Sequence, residues 1–251
     1  MNADNILETQ NLAKDFKGYV AVDSVSLKVR RGTIHALIGP NGAGKTTVFN
    51  LLTKFLIPTT GTISFQGRDI TRERPAQVAR RGMVRSFQIS AVFAHLTVLE
   101  NVRIGLQRKQ GRSFAFWRSE SGLNSLNDRA AALLAEVGLD SYAGVIAVEL
   151  PYGRKRALEI ATTLALEPEL LLLDEPTQGI GHEELDRVKA LIRKVAASRT
   201  VLMVEHNMGV VADLCDTITV LQRGAVLAEG TYAEVSANPR VMEAYMGVAH
   251  G

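Results

Sequence analysis

Apolar and polar positions alternate over short stretches in the first part of the chain. ILETQNL, VSLKV, TIHALIG and TISFQG, separated by glycine-containing turns, predict β-strands with few helices between them. The exception follows TIHALIG directly. There GPNGAGKTT opens into VFNLLTKFL, whose Val48, Phe49, Leu51, Leu52 and Leu56 fall on one helical face. From about Thr97 to Ala165 the period becomes helical, with Leu133, Leu134 and Val137 in one segment and Leu158, Ile160 and Ala161 in another. LLLLD (170–174) and TVLMVEH (200–206) are continuous apolar runs, too short for buried helices and suited to strands covered on both faces. Between them, HEELDRVKALIRKV carries Leu185, Val188, Leu191, Ile192 and Val195 at helical spacing, so a strand, a crossover helix and a parallel strand are expected. The pattern predicts an α/β protein whose sheet is interrupted by a helical lobe.

Composition narrows this picture. With 251 residues and roughly 150 per domain, one large domain with an inserted lobe is expected. Hydrophobic residues at 46% and charged residues at 22% exclude a disordered or disulfide-dense chain. A net charge of +3 gives little reason to expect a nucleic-acid partner. The single cysteine, Cys215, cannot close an internal disulfide, its neighbours Asp213, Leu214 and Asp216 make no metal-ligand pattern, and a reducing compartment fits. MNADNILETQ lacks the basic start and apolar core of a signal peptide, and no apolar run approaches the roughly 18 residues of a membrane span. Any work at a membrane would need a partner to supply the span.

The strongest chemical signal is GPNGAGKT, which matches G-x-x-x-x-G-K-[ST] between a predicted strand and a predicted helix. Gly39, Gly42 and Gly44 let the backbone of Pro40, Asn41, Ala43, Thr46 and Thr47 curl so that N–H groups face phosphate oxygens. Lys45 supplies a cation for the β and γ phosphates, and the Thr46 hydroxyl a ligand for Mg2+. Asp174 and Glu175 end the LLLL run. One carboxylate at a buried strand tip holds Mg2+, and its neighbour orients and polarises the attacking water; Asp174 takes the metal and Glu175 the water.

With these residues in place, the chain resembles the ATP-binding subunits of ABC transporters over nearly its whole length. GPNGAGKTT resembles Walker A, SFQ (86–88) the Q-loop, LPYGRKR (150–156) the signature, LLLLDEP Walker B and VEH (204–206) the switch histidine, all in the family's order. The resemblance implies a P-loop NTPase ABC ATPase fold: a RecA-like parallel-sheet core with an N-terminal antiparallel β subdomain and an inserted helical subdomain. Residues 1–96 and 166–251 would form the core with its β subdomain, and 97–165 the helical subdomain, within a single ABC ATPase domain spanning 1–251. It also implies ATP and Mg2+ as cofactors. Gln88 would coordinate Mg2+ or the attacking water, and His206 would hydrogen-bond the γ-phosphate. Phe16 would stack on adenine, with Tyr19 close enough to take that place or for either ring to be core filler.

The family's catalytic unit is a dimer, in which Gly153 of one subunit's signature completes the site of the other. The expected partners are therefore a second ATPase subunit, identical or different, transmembrane permease subunits and a periplasmic substrate-binding protein, with no nucleic acid. The expected location is peripheral, on the cytoplasmic side of the inner membrane. FQISAVFAHLTVLENV, FWRS, RALEIA and AEGTYAEVSANPRVMEAYMG are similar to the ATPases of branched-chain or hydrophobic amino-acid importers. An ATPase of a lipid or lipopolysaccharide exporter, or a soluble regulatory ABC ATPase, is the alternative. Phe93, Leu96, Val98 and Leu99 are expected to line a groove for a permease helix. Arg108, Lys109, Arg112 and Arg118 read as a solvated or lipid-facing rim. Two departures stand out: Pro151 removes a hydroxyl and an N–H from the signature, with Arg154 as a compensating cation, and Gly181 stands where the family has an aspartate.

Overall fold

The structure, a computed structural model, describes residues 4–86, 92–109 and 121–246. Its centre is a six-stranded sheet built from β4 (Ile34–Ile38), β7 (Met83–Arg85), β8 (Leu170–Asp174), β9 (Thr200–Val204), β10 (Thr217–Gln222) and β11 (Ala225–Gly230), in the order β11-β10-β4-β9-β8-β7. All neighbours are parallel except the β10–β11 hairpin. The two apolar runs pair as expected, Leu170 opposite Thr200 and Asp174 opposite Val204, and α6 (His182–Ala196) makes the crossover between them.

Alternate residues of these strands enter two different cores. Leu171, Leu173, Val201 and Met203 face one, and Leu170, Leu172, Leu202 and Val204 the other. Burial on both faces is the physical reason that the runs lack polar alternation. The first core is covered by α3 (Val98–Lys109), α4 (Ser121–Glu136), α5 (Tyr152–Leu164), α6 and α7 (Met208–Leu214), through residues such as Val102, Leu134, Leu158, Ile192 and Val211.

The second core joins the sheet to α1 (Lys45–Leu52) and to a smaller sheet of β1 (Asn5–Phe16), β2 (Tyr19–Val25), β3 (Lys28–Arg30), β5 (Thr60–Phe65) and β6 (Arg68–Asp69). Its ladders are antiparallel throughout, with Phe16 opposite Tyr19 at the first hairpin. Among the described residues no helix is long and apolar enough to cross a membrane.

Two local expectations differ. The helix after the glycine loop ends at Leu52 rather than reaching Leu56, because Lys54 takes a left-handed conformation (φ 66°) and the Leu56 N–H turns back to the Asn50 carbonyl at 3.0 Å. Val98 does not line an open groove. It is fully buried in the first core, whereas Phe93 is 53% exposed, as are parts of Ile146 and Val148.

Candidate functional site

The carboxyl ends of β4, β8 and β9 lie side by side, and each continues into one of the segments singled out from the sequence. Loops at this edge of a parallel sheet are where open α/β proteins hold ligands. After β4, Gly39 (φ 150°), Gly42 (φ 77°) and Gly44 (φ 99°) bend the chain into α1. A Cβ on Gly39 would stand 2.2 Å from the Leu221 carbonyl oxygen, and one on Gly44 2.6 Å from that of Ala21. Both positions therefore require glycine. Gly44 is the N-cap of α1, with no side-chain cap and no acidic residue in the first turn, so the first amides of the helix are left for an anionic guest.

Lys45 folds back into this loop. Its Nζ donates to the carbonyls of Gly39 at 2.7 Å and Pro40 at 3.0 Å. Burial lowers its pKa, opposed by the nearby charges of Glu175 and Asp174, so the structure brings the lysine and the two carboxylates into one electrostatic field. Thr46 is exposed and Thr47 half-buried at the same helix start.

Asp174 ends β8 and is paired with the Arg85 guanidinium, which also donates to the Asn50 side chain at 2.7 Å. Glu175 follows with φ 47°, a left-handed conformation unusual for a residue with a side chain. Its N–H donates to the Val204 carbonyl at 2.9 Å, which sets it two residues from His206 on the neighbouring strand's continuation. His206 is exposed. Its backbone N–H, with that of Asn207, donates to the Glu205 carboxylate at 2.9 and 3.0 Å. Glu205 is fully buried and also accepts from the Thr177 N–H at 3.1 Å and from the Thr177 hydroxyl. One carboxylate thus fastens the loop after Glu175 to the loop carrying His206.

Phe16 ends β1 and is 43% exposed, with Lys14 Nζ 5.2 Å from its ring centre, and Tyr19 opposite it is more open still. The hairpin reaches the glycine loop through Ala21, beside Gly44. Gly153 lies in the first turn of α5, whose N-cap is Pro151, and packs against the Glu184 side chain of α6. Tyr152 donates its hydroxyl to the Gln178 carbonyl at 3.1 Å, linking the signature to the loop after Glu175. Arg154 is not a spare cation: it donates to the Gly138 carbonyl at 2.8 Å and lies over the Tyr142 ring. Gly181 is the N-cap of α6, its carbonyl accepting from Glu184 and Leu185. Gln88, Arg112 and Arg118 lie outside the described residues.

Sequence reasoning missed Arg85, Glu205 and Tyr245. Arg85 directly precedes the quoted SFQ and Glu205 lies within VEH, and a charge at the end of an apolar run was the available signal. Tyr245, on α9 (Pro239–Met246), has its phenol pushed up to about 12 by burial, with a backbone hydrogen bond from Gly39 opposing the rise.

The chain is similar in sequence and fold to known proteins. The model of the family described as ABC transporter matches residues 22–178. The chain belongs to the ABC transporter family. A second model, described as branched-chain amino acid ATP-binding cassette transporter, matches residues 225–251 of this ABC subunit. The high-affinity branched-chain amino acid transport ATP-binding protein BraF of Pseudomonas aeruginosa is 41% identical, with 97% of this chain and 98% of that protein covered. LivG of Escherichia coli K12, which carries the same description, is 39% identical at the same coverage. Among solved structures, the ADP conformation of the ABC transporter cassette MJ1267 superposes with a TM-score of 0.87 at 31% identity, covering 97% of this chain and 99% of that one. The fold is that of an ABC ATPase, and the chain is an ATP-hydrolysing member of the family.

Cys215 stands apart from this chemistry. Burial, with the charges of Asp216 and Glu205 adding to it, pushes its thiol up to about 12. Only about one molecule in 10⁴ would carry a thiolate at pH 8. Reaction of the folded protein with a disulfide reagent at that pH should therefore be slower than that of the urea-unfolded protein by at least about 100-fold; equal rates would contradict the burial.

Proposed function

We propose that this ABC ATPase drives uptake of branched-chain or hydrophobic amino acids, as one of two ATPase subunits bound to transmembrane permeases. The observation that carries the reading is the convergence of the glycine loop, Lys45, Asp174, Glu175 and His206 at one edge of the sheet. It is supported by full-length similarity to branched-chain amino acid transport ATP-binding proteins. The same similarity does not favour the lipid-exporter alternative. The chain would lie on the cytoplasmic side of the inner membrane as a peripheral subunit, fed by a periplasmic substrate-binding protein. Residues 1–96 and 166–251 would act as the nucleotide-binding core and 97–165 as the helical subdomain facing the permease, with Phe93, Ile146 and Val148 offering it exposed apolar surface.

The residues perform the reaction by positioning and charge. The triphosphate rests on the uncapped amides of Gly44, Lys45 and Thr46 at the start of α1. Lys45 releases the Gly39 and Pro40 carbonyls and turns its ammonium to the β and γ phosphates, a short reorientation of a side chain already within the loop. Phe16, or Tyr19 beside it, offers the purine a ring face. Glu175 accepts the proton of the attacking water as its oxygen bonds to the γ-phosphorus and the bond to the β-phosphate oxygen breaks. His206 donates to the γ-phosphate, while Gly153 and its neighbouring amides at the start of α5 approach it from the second subunit.

Mg2+ fits this donor set. Asp174 at the tip of β8 supplies a hard carboxylate oxygen and Thr46 at the start of α1 a hydroxyl, the kind of sparse oxygen set that holds this ion together with a substrate's phosphates. Asp174 and Thr46, with Gln88, would hold it, and the ion would neutralise the charge that develops on the phosphate oxygens.

The test is uptake by the complete complex in proteoliposomes enclosing Mg-ATP, with labelled leucine bound to the substrate-binding protein outside. Accumulation that requires ATP is expected. ATP hydrolysis by a complex that moves none of leucine, isoleucine, valine or phenylalanine would overturn the transport reading.

A further inference from the structure

Arg156 and Glu159 lie one turn apart on α5, with side chains only 4% and 1% exposed. Arg156 Nη1 donates to Glu159 Oε2 at 2.6 Å, and Nη2 of the same guanidinium donates to the backbone carbonyl of Glu175 at 3.0 Å. The other carboxylate oxygen, Glu159 Oε1, accepts from the Ser86 hydroxyl at 2.6 Å. Ser86 follows β7 and is itself fixed by its N–H to the Leu172 carbonyl of β8 at 2.9 Å, two residues before Asp174. An unbroken chain of hydrogen bonds thus runs from the carbonyl of Glu175, through the helix that begins at the signature, to the residue that opens the segment containing Gln88.

We propose that Arg156 and Glu159 are positioning residues for hydrolysis: they hold the Glu175 backbone in its strained conformation and make its placement depend on where α5 stands. The inference rests on the reading of Glu175 as the base. Three observations support it. Glu175 has φ 47°, a conformation that persists in a non-glycine residue only where its surroundings impose it, and the Arg156 guanidinium and the Val204 carbonyl grip the two sides of that residue's backbone. A buried ion pair is a poor source of stability, since apolar residues of equal volume would hold α5 to the sheet at least as well, so its presence calls for a geometric task. The task requires arginine in particular: a planar fork reaches Glu159 and the Glu175 carbonyl at once, which an ammonium on a flexible stem does not reproduce. Burial raises the pKa of Glu159, with the charge of Asp174 adding to the rise and Arg156 and the Ser86 hydroxyl opposing it.

The consequence concerns coupling. Movement of α5 when a second subunit engages the signature would be conveyed directly to Glu175 and Ser86, and withdrawal of α5 would loosen both. A pair serving only to staple the helix would change stability and leave turnover per bound ATP as it was.

The test uses the assembled transporter carrying Arg156→Lys, the double variant Arg156→Met with Glu159→Leu, or Ser86→Ala. Affinity for a fluorescent ATP analogue, KM, kcat and the melting temperature would be measured for each. ATP affinity and KM are expected to stay within about twofold, while kcat falls by about ten- to hundredfold in the arginine variants and about threefold in Ser86→Ala. The Lys variant should melt close to wild type and still turn over slowly, because it keeps the charge and loses the fork. A folded Lys or double variant with kcat within twofold of wild type overturns the proposal. Should both fail to fold, an unchanged kcat in Ser86→Ala overturns it instead. Glu175→Gln in the same assay separates the two ideas: full activity there defeats the reading of the base itself, whereas an inactive Glu175→Gln beside active Arg156 variants defeats the relay alone.

Discussion

Replacing Glu175 with glutamine should leave ATP binding close to wild type and lower kcat by about 10²- to 10⁴-fold. The amide keeps the size and the hydrogen-bonding reach of the carboxylate and removes its ability to take a proton from water. The backbone should not relax, since the left-handed conformation is held from both sides, by the Val204 carbonyl on the N–H and by Arg156 on the carbonyl. The charge change is local and favours retention of nucleotide, because one negative group beside the γ-phosphate is gone. Single-turnover hydrolysis with labelled ATP, measured beside equilibrium binding, distinguishes lost chemistry from lost affinity. With hydrolysis blocked, size-exclusion in Mg-ATP should show more of the dimer than wild type does. Turnover within tenfold of wild type would remove Glu175 from the role of base.

Lys45→Ala should act at the other step. Its Nζ now satisfies two loop carbonyls and lies under the influence of Asp174 and Glu175. Charge-assisted hydrogen bonds to a phosphate contribute about 1.5–3 kcal/mol, so their removal should weaken ATP binding by about 10- to 150-fold. The truncation also leaves the Gly39 and Pro40 carbonyls facing the phosphates without a cation between them, which adds to the loss. The loop itself should keep its shape, since its bends come from glycines at positive φ and from the close approach of Gly39 to Leu221 rather than from the lysine. Titration calorimetry with ATP, and circular dichroism to confirm the fold, would check this. Unchanged affinity in a folded variant would contradict the assignment of the loop.

Side-chain burial explains why these two residues were legible and their supports were not. Lys45, Asp174 and Glu175 each sit where a local pattern changes: a strand runs out, glycines or a proline follow, and a charged residue appears at the break. Arg156 and Glu159 lie inside α5, Arg85 ends β7 and Glu205 follows β9, and nothing in the helical or strand period says which partners these charges will meet. The groove expected of Phe93, Leu96, Val98 and Leu99 illustrates the same limit, because four apolar residues in one segment were divided by the fold into an exposed Phe93 and a fully buried Val98. Arg154 was expected to lend its charge to the nucleotide and is bound instead to the Gly138 carbonyl.

The sequence by itself determined the glycine loop, the doubly buried strands β8 and β9, the crossover α6 and the helical run from α3 to α5. Each depends on contacts within a few residues or on a repeat that a short window displays. The tertiary structure alone decided the closing hairpin of β10 and β11, the stop of α1 at Leu52, the Glu205 clasp between Thr177 and His206, and the path from Ser86 through Glu159 and Arg156 to Glu175. Apart from the helix stop and the hairpin, which turn on local backbone conformation and strand pairing, these depend on hydrogen bonds between groups 19, 28 and 73 positions apart in the chain. A buried polar group takes whichever partner the packing brings within reach, and that choice is made only when the elements meet.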